Sequence, residues 1–418
     1  MLMGVVDTAV VSRFSASHAA GTSLGNSVAM GLLVFGMGLA IALEPLMAQA
    51  HGAGERDRAW GWWRTGLRVS LISAIPLSFA AIALTMLAHH VGISEETRDI
   101  AVEYLVARTP GNLLFLVFMA AKSFLQSHQR SRPLLVAAVV ANVFNLAADV
   151  LLVDGVVQWG GMGAGLATSV STIVLVLIAV GAIGKSRPAD TSHIPPGDTR
   201  LLLKLGLPLG IQLAAEFLVF STCGVIATAL GDIEGNAHQI ALHCTSLTFM
   251  AALGISGATA ARVGEAVGLS RPDLVRQRSR AGFVLTMAVM GCSALLFALF
   301  ASPIVGLFSP KEAAVFTLAA ELLGIGALFQ FFDGTQVLVS GALRGVGDIR
   351  FPFVVTTLGY WAVGFPVALG LTYGLDMGAH GLWYGLTAGL FAASVGLGWR
   401  YLAIERRGVA RLEPAKHP

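Results

Sequence analysis

Four acidic residues lie inside long apolar stretches of the sequence: Asp7, Asp149, Glu216 and Asp333. Asp7 is the clearest case, because it lies within the apolar run MLMGVVDTAVV at the start of the chain. An ionisable group at membrane depth is costly and usually marks a site that binds an ion, a proton or a substrate. The residue types therefore predict proton or cation exchange, provided that the surrounding segments span a membrane.

Three further polar side chains can be grouped with Asp7. Asn145 and Asp149 are four residues apart and share one face of a predicted helix, and Thr168 on the next predicted helix adds a hydroxyl. Hard cations such as Na⁺ prefer oxygen ligands. These residues predict a small oxygen-lined cation site in the N-terminal half. The alternative is that each acid pairs with a neighbouring donor only to stabilise helix packing.

The composition indicates that these segments do lie in a membrane. The 418 residues are 55% hydrophobic and only 12% charged, which is too apolar for a water-soluble globule of this size. The net charge of +3 is small and gives no footprint for nucleic acid. The three cysteines show no metal-binding or CxxC spacing. We expect an integral membrane protein that is not an enzyme and has no cofactor or resident metal.

Segments of about 20 apolar residues predict twelve spans. All of the spans except the first are long enough to cross a bilayer. Loop charge orients them, because most of the 27 basic residues fall in alternate loops and only Arg13, Arg98, Arg108 and Lys311 fall on the other side. Both termini are therefore expected in the cytoplasm of a multi-pass inner-membrane protein. The predicted spans are residues 1–13, 22–50, 66–88, 104–127, 134–153, 162–184, 205–230, 238–264, 281–302, 316–342, 352–373 and 381–402.

The sequence repeats itself at about half its length. PLMAQAHGAGERD resembles ARVGEAVGLSRPD, and MGAG is echoed by MGAH. An even number of helices per copy predicts two parallel six-helix lobes, as in many secondary transporters. We expect an N-terminal lobe (1–184), a cytoplasmic linker (185–200), a C-terminal lobe (201–404) and a cytoplasmic tail (405–418). The short first span also predicts that helix one is truncated or that the true start lies upstream.

Several segments in the correct order resemble signatures of the multidrug and toxic compound extrusion (MATE) family. They are VDTAVVSRFSASHAAGTSLG, MAQAHGAGE, AHQIAL and DGTQVLVSGALRGVGDIRFP. The resemblance implies twelve helices in two lobes and rocker-switch exchange of cytoplasmic cations for sodium ions or protons. Asp7, Asn145 and Asp149 match the acidic pattern of the DinF-like branch. Glu216 and Asp333 match the NorM-like branch, so the chain combines both patterns.

The implied mechanism is antiport. Na⁺ or H⁺ is expected to neutralise Asp7 and Asp149, and the exported organic cation or drug is expected to interact with a second group of residues. That group is Glu216, Asp333, Phe217, Gln239 and Phe332. Arg344 and Asp348, in RGVGD, predict a gating or structural network at a cytoplasmic helix end.

We expect the antiporter to act as a monomer in the lipid bilayer. Two other functions compete with antiport as an interpretation of the sequence. A lipid-linked saccharide flippase of the same superfamily is the main alternative, but it should carry several cavity-facing basic residues to hold a pyrophosphate. The placement of most basic residues at the cytoplasmic side argues against it. An intramembrane enzyme acting on lipids would need clustered acids such as DDxxD, which the sequence lacks.

Overall fold

The computed structural model of the protein describes residues 7, 10–154, 157–184, 186–188, 190, 191, 193–308, 312–407, 411 and 412. Within these residues the regular structure is entirely helical. Eleven helices of 22 to 37 residues are long and apolar enough to cross a membrane, and each corresponds to one of the eleven later predicted spans. The predicted all-α polytopic fold is confirmed. Most of the first predicted span (residues 1–6, 8 and 9), Lys185, Lys311 and most of the predicted tail lie outside the described residues.

The first compact unit extends to Gly210. Residues 7 and 10–14 form an N-terminal helical segment, which the extended backbone of Ser15 separates from the first long helix. Helix α4 contacts α1, α2, α3 and α6, so it is the central element of this unit. The helices are α1 (Ala16–Ile41), α2 (Leu43–Gly52), α3 (Arg56–Met86), α4 (Glu95–Ser127), α5 (Arg132–Asp149) and α6 (Gly160–Gly184).

The second compact unit begins at Ile211, inside helix α7. Its helix α10 contacts α8, α9 and α13. Two π-helical stretches, Gly359–Gly364 and Gly370–Gly374, flank α12 and make α11 and α12 parts of one membrane span. The helices are α7 (Thr199–Leu230), α8 (Asp232–Gly268), α9 (Pro272–Gly306), α10 (Ala313–Val346), α11 (Arg350–Leu358), α12 (Phe365–Leu369) and α13 (Gly378–Arg407).

The polar segment between α6 and α7 is attached to α3. Thr65 Oγ1 donates to the carbonyl of Gly197 at 3.1 Å, and the amide of Gly197 donates to the carbonyl of Gly61 at 3.2 Å. A side chain at Gly61 would collide with the carbonyl of Pro195, at 2.4 Å. This close approach holds the end of the predicted linker against the N-terminal unit, which also includes the first residues of α7.

Helix α5 shows how the sequence directs polar groups inward. Its buried residues recur every four positions and so form one stripe along the helix. Large apolar residues elsewhere on the helix are exposed, as expected at a lipid boundary. Asn145 and Asp149 therefore face the interior of their unit because they continue a stripe of small residues. The buried stripe is Ala137, Ala141, Asn145 and Asp149, and the exposed residues include Leu135, Val139, Val143 and Leu146.

Candidate cation and substrate sites

Three elements of the first unit bring polar side chains together around Asp7. Asn145 Nδ2, on α5, donates to Asp7 Oδ1 at 3.2 Å. Thr168 Oγ1, on α6, donates to Asp7 Oδ2 at 2.6 Å. All three side chains are buried. Each oxygen of the Asp7 carboxyl thus has its own donor, and the two donors come from different helices.

Asp149 completes this cluster. It is fully buried and lies within hydrogen-bonding reach of Asp7. The chain continues from it into the π-helical turn Val150–Asp154, so the helix widens directly beside the carboxyl. Among the described residues, neither Asp149 oxygen nor Asn145 Oδ1 has a hydrogen-bond donor. Two adjacent carboxylates repel each other, and a proton or a cation between them would relieve that repulsion. The oxygens without a donor are suitable ligands for either.

The structure therefore brings together all four residues of the predicted coupling site: Asp7, Asn145, Asp149 and Thr168. Their role in coupling remains a prediction.

A second pair of acids lies in the C-terminal unit. Glu216 Oε1, on α7, accepts hydrogen bonds from Gln212 Nε2 at 3.0 Å and from Gln336 Nε2 at 3.2 Å. Asp333 is buried on α10, one turn before Gln336, and lies within electrostatic range of Glu216. Tyr360, on the π-helical stretch after α11, is buried within electrostatic range of both acids. This arrangement can bind a positive charge between two helices.

Of the other three predicted substrate residues, two are sequence neighbours of the acids and one is not. Phe217 follows Glu216 on α7 and is half-buried, and Phe332 precedes Asp333 and packs edge-on against Phe391 with centroids 5.2 Å apart. Gln239 is exposed on α8 opposite Gly224, which is two helical turns from Glu216. The contacts around Gln239 thus do not group it with the two acids.

The predicted Arg344 and Asp348 network lies at the end of α10. Asp348 Oδ2 accepts a hydrogen bond from Arg400 Nε at 2.7 Å, and Asp348 Oδ1 accepts one from the amide of Phe351 at 3.3 Å. Gly347 has φ +92°, which lets the chain turn sharply after the helix. Arg344 lies within electrostatic range of Glu216. Asp348 thus ties α10 to α13 through Arg400, a partner that the sequence does not predict.

Comparison with known proteins identifies the family. The sequence matches the MatE family over residues 1–151 and 208–369, which is most of its length. The chain belongs to the MATE family. Two probable multidrug resistance proteins named NorM are similar to this MATE transporter over nearly its whole length. The one from Bradyrhizobium diazoefficiens is 33% identical over 97% of this chain and 90% of its own. The one from Mannheimia succiniciproducens is 28% identical over 98% and 91%.

The fold of this MATE protein also matches solved structures. A eukaryotic MATE transporter superposes with a TM-score of 0.87 at 20% identity, covering 97% of this chain and 93% of that chain. At this identity the likeness establishes the fold alone. The two-lobe, twelve-helix prediction is confirmed, and the matched proteins are described as multidrug resistance proteins and as a MATE transporter.

Tyr104 and Arg108 were missed as site residues in this MATE protein. The loop-charge pattern places Arg108 among the few basic residues of the non-cytoplasmic side, but Arg108 lies inside α4, half-buried, beside the Asp7 cluster. Its Nη1 donates to the hydroxyl of Tyr104, one turn earlier on the same helix. The available signal was an arginine inside a segment already predicted to span the membrane.

Proposed function

We propose that this protein is a secondary active antiporter that exports organic cations or drugs in exchange for Na⁺ or H⁺ in the inner membrane. The names of the NorM relatives support an export function. The observation that carries the exchange proposal is the buried pair of Asp7 and Asp149, because the two Asp149 oxygens and Asn145 Oδ1 have no donor among the described residues and suit a small monovalent cation. In this proposal the monomer is the transport unit and both termini face the cytoplasm.

The N-terminal cluster would receive the coupling ion. A proton or Na⁺ that enters between Asp7 and Asp149 relieves the repulsion between the two carboxylates. It also changes the hydrogen bonds that tie the N-terminal helical segment to α5 and α6, because both donors act on Asp7. Ion binding can therefore alter how this segment packs, and rocker-switch alternating access would couple that change to release of the substrate.

The C-terminal acids would receive the organic cation. Glu216 and Asp333 provide negative charge, and neighbouring aromatic side chains such as Phe217 and Phe332 provide surfaces for an apolar cation. Exchange follows if the substrate and the coupling ion stabilise opposite states of the transporter. The two acid pairs then have different tasks, one in each lobe.

Ethidium efflux tests this proposal. The purified protein is reconstituted in vesicles loaded with ethidium, and a sodium gradient and a pH gradient are imposed separately. Efflux should accelerate with at least one gradient and should be lost in Asp7→Asn. If neither gradient drives efflux of ethidium or of a second organic cation such as tetraphenylphosphonium, the antiport proposal is wrong.

A further inference from the structure

Arg108 is a fixed positive charge within a membrane-spanning helix. It is half-buried on α4, and an arginine at such a depth is costly unless it is paired. Its Nη1 donates to Asn26 Oδ1 of α1 at 2.5 Å and to the Tyr104 hydroxyl. Its Nε is buried and has no hydrogen-bond partner within the described part of the chain. Two neutral partners do not balance a guanidinium charge.

The compensating charges lie in the neighbouring acid cluster. Tyr104 packs in one apolar cluster with Val11, Val153 and Ala164. Val11 is one turn from Asp7, Val153 one turn from Asp149, and Ala164 one turn from Thr168. The three elements of the coupling site therefore converge on the turn of α4 that carries Arg108.

The backbones of α4 and α6 are also in close contact at this level. A side chain at Gly165 would lie 2.5 Å from the carbonyl of Tyr104 and 3.3 Å from the amide of Arg108. Asp7 lies within electrostatic range of the guanidinium.

The charges that face Arg108 can be counted element by element. Among the described residues, the N-terminal segment contributes Asp7, which lies within electrostatic range of Arg108, and α5 contributes Asp149, which interacts with Asp7. The side chains from α1 and α6 are neutral: Asn26 accepts from Arg108, and Thr168 donates to Asp7. With both carboxylates ionised, the cluster of Asp7, Asp149 and Arg108 carries two negative charges and one positive charge. One negative charge is then unbalanced, and one bound monovalent cation makes the cluster neutral.

We propose that Arg108 is the built-in counter-cation of the N-terminal acid cluster and limits that cluster to one monovalent coupling ion per transport cycle. Arg108 acts as a positioning residue that sets the charge of the site, and it does not itself contact the transported ion. This inference rests on the proposed antiport function. Without Arg108 the two negative charges of Asp7 and Asp149 would both be unbalanced. The cluster would then take up an additional Na⁺ or H⁺, because a buried pair of carboxylates does not stay doubly charged.

The test measures how many coupling ions are exchanged for each tetraphenylphosphonium molecule exported. Protein in vesicles is set against opposing ion and tetraphenylphosphonium gradients, and the ratio is read from the gradients at which net flux is zero. Arg108→Gln should raise the ratio by one ion. The double variant that combines Arg108→Gln with Asp149→Asn should have the native ratio, because one negative charge is again unbalanced in the cluster. Arg108→Lys should keep the native ratio.

A structural role for Arg108 gives different results. Tyr104→Phe removes a hydrogen-bond partner of Arg108 but leaves the charge, so it should leave the ratio unchanged. If Arg108→Gln alone fails to fold, the double variant should fold, because it restores the charge balance. An unchanged ratio in folded Arg108→Gln, or a double variant that is not rescued, overturns the inference. A native protein that neither gradient drives instead overturns the proposed antiport function, so the two failures can be told apart.

Discussion

Asp7→Asn separates the charge of Asp7 from its contribution to packing. The two side chains have nearly the same shape, and the new amide oxygen can still accept the hydrogen bond from Thr168. The new NH₂ group faces Asn145, whose Oδ1 is buried and has no donor among the described residues. Rotation of the Asn145 amide by 180° would present that oxygen to the new donor. We therefore expect the free energy of unfolding to change by less than about 1 kcal/mol.

The effect on ion binding should be much larger. A carboxylate and a monovalent cation about 4 Å apart attract each other by about 4 kcal/mol when the effective dielectric constant is about 20. Since about 1.4 kcal/mol corresponds to a factor of ten, loss of the Asp7 charge should weaken ion binding by about a thousand-fold. At that affinity the coupling ion no longer drives efflux at ordinary gradients.

Two measurements on the same preparation check this reasoning. Thermal unfolding in detergent reports stability, and binding of Na⁺ or uptake of protons by the purified protein reports ion affinity. Glu103→Gln removes an exposed carboxylate from α4 and serves as the matched control, with native ion affinity and native efflux. Native ion affinity in Asp7→Asn would refute the coupling role of Asp7. A large loss of stability would instead show that the charge maintains the fold.

Three other predictions concern the C-terminal unit. Glu216→Gln should weaken binding of tetraphenylphosphonium at least ten-fold in a direct binding assay while the protein stays folded; unchanged binding would remove this acid from the substrate site. Gly385→Ala should destabilise the protein by about 2 kcal/mol or more, because the added Cβ would lie 2.3 Å from the backbone of α12. Gly181→Ala, with nothing within 4 Å, is the control, and equal unfolding temperatures would contradict the packing argument. Asp348→Asn weakens the bond to Arg400 and should cost about 1 kcal/mol, measured by thermal unfolding; an increase in stability would count against it.

Much of the candidate site could be anticipated from the sequence because its residues are conspicuous there. An aspartate in an apolar run, and an Asn and an Asp four residues apart on a helix, are visible without a structure. The surroundings of Gln239 could not be anticipated, because an amide on an apolar helix gives no sign of which neighbour it faces. The sequence does not predict Arg400 as the partner of Asp348, because the two residues are 52 positions apart in the chain.

The sequence alone determined that this protein is an α-helical membrane protein, because apolar length and loop charge act locally along the chain. It also indicated three of the buried acids, Asp7, Asp149 and Asp333, since few other residues interrupt the apolar spans with charge. Only the tertiary structure decided which groups share a site. The hydrogen bonds of Asp7 come from residues 138 and 161 positions away, and Arg108 reaches the same cluster through the packing of α4 against α1 and α6. Charge balance depends on distance in space, and the order of residues along the chain does not fix that distance.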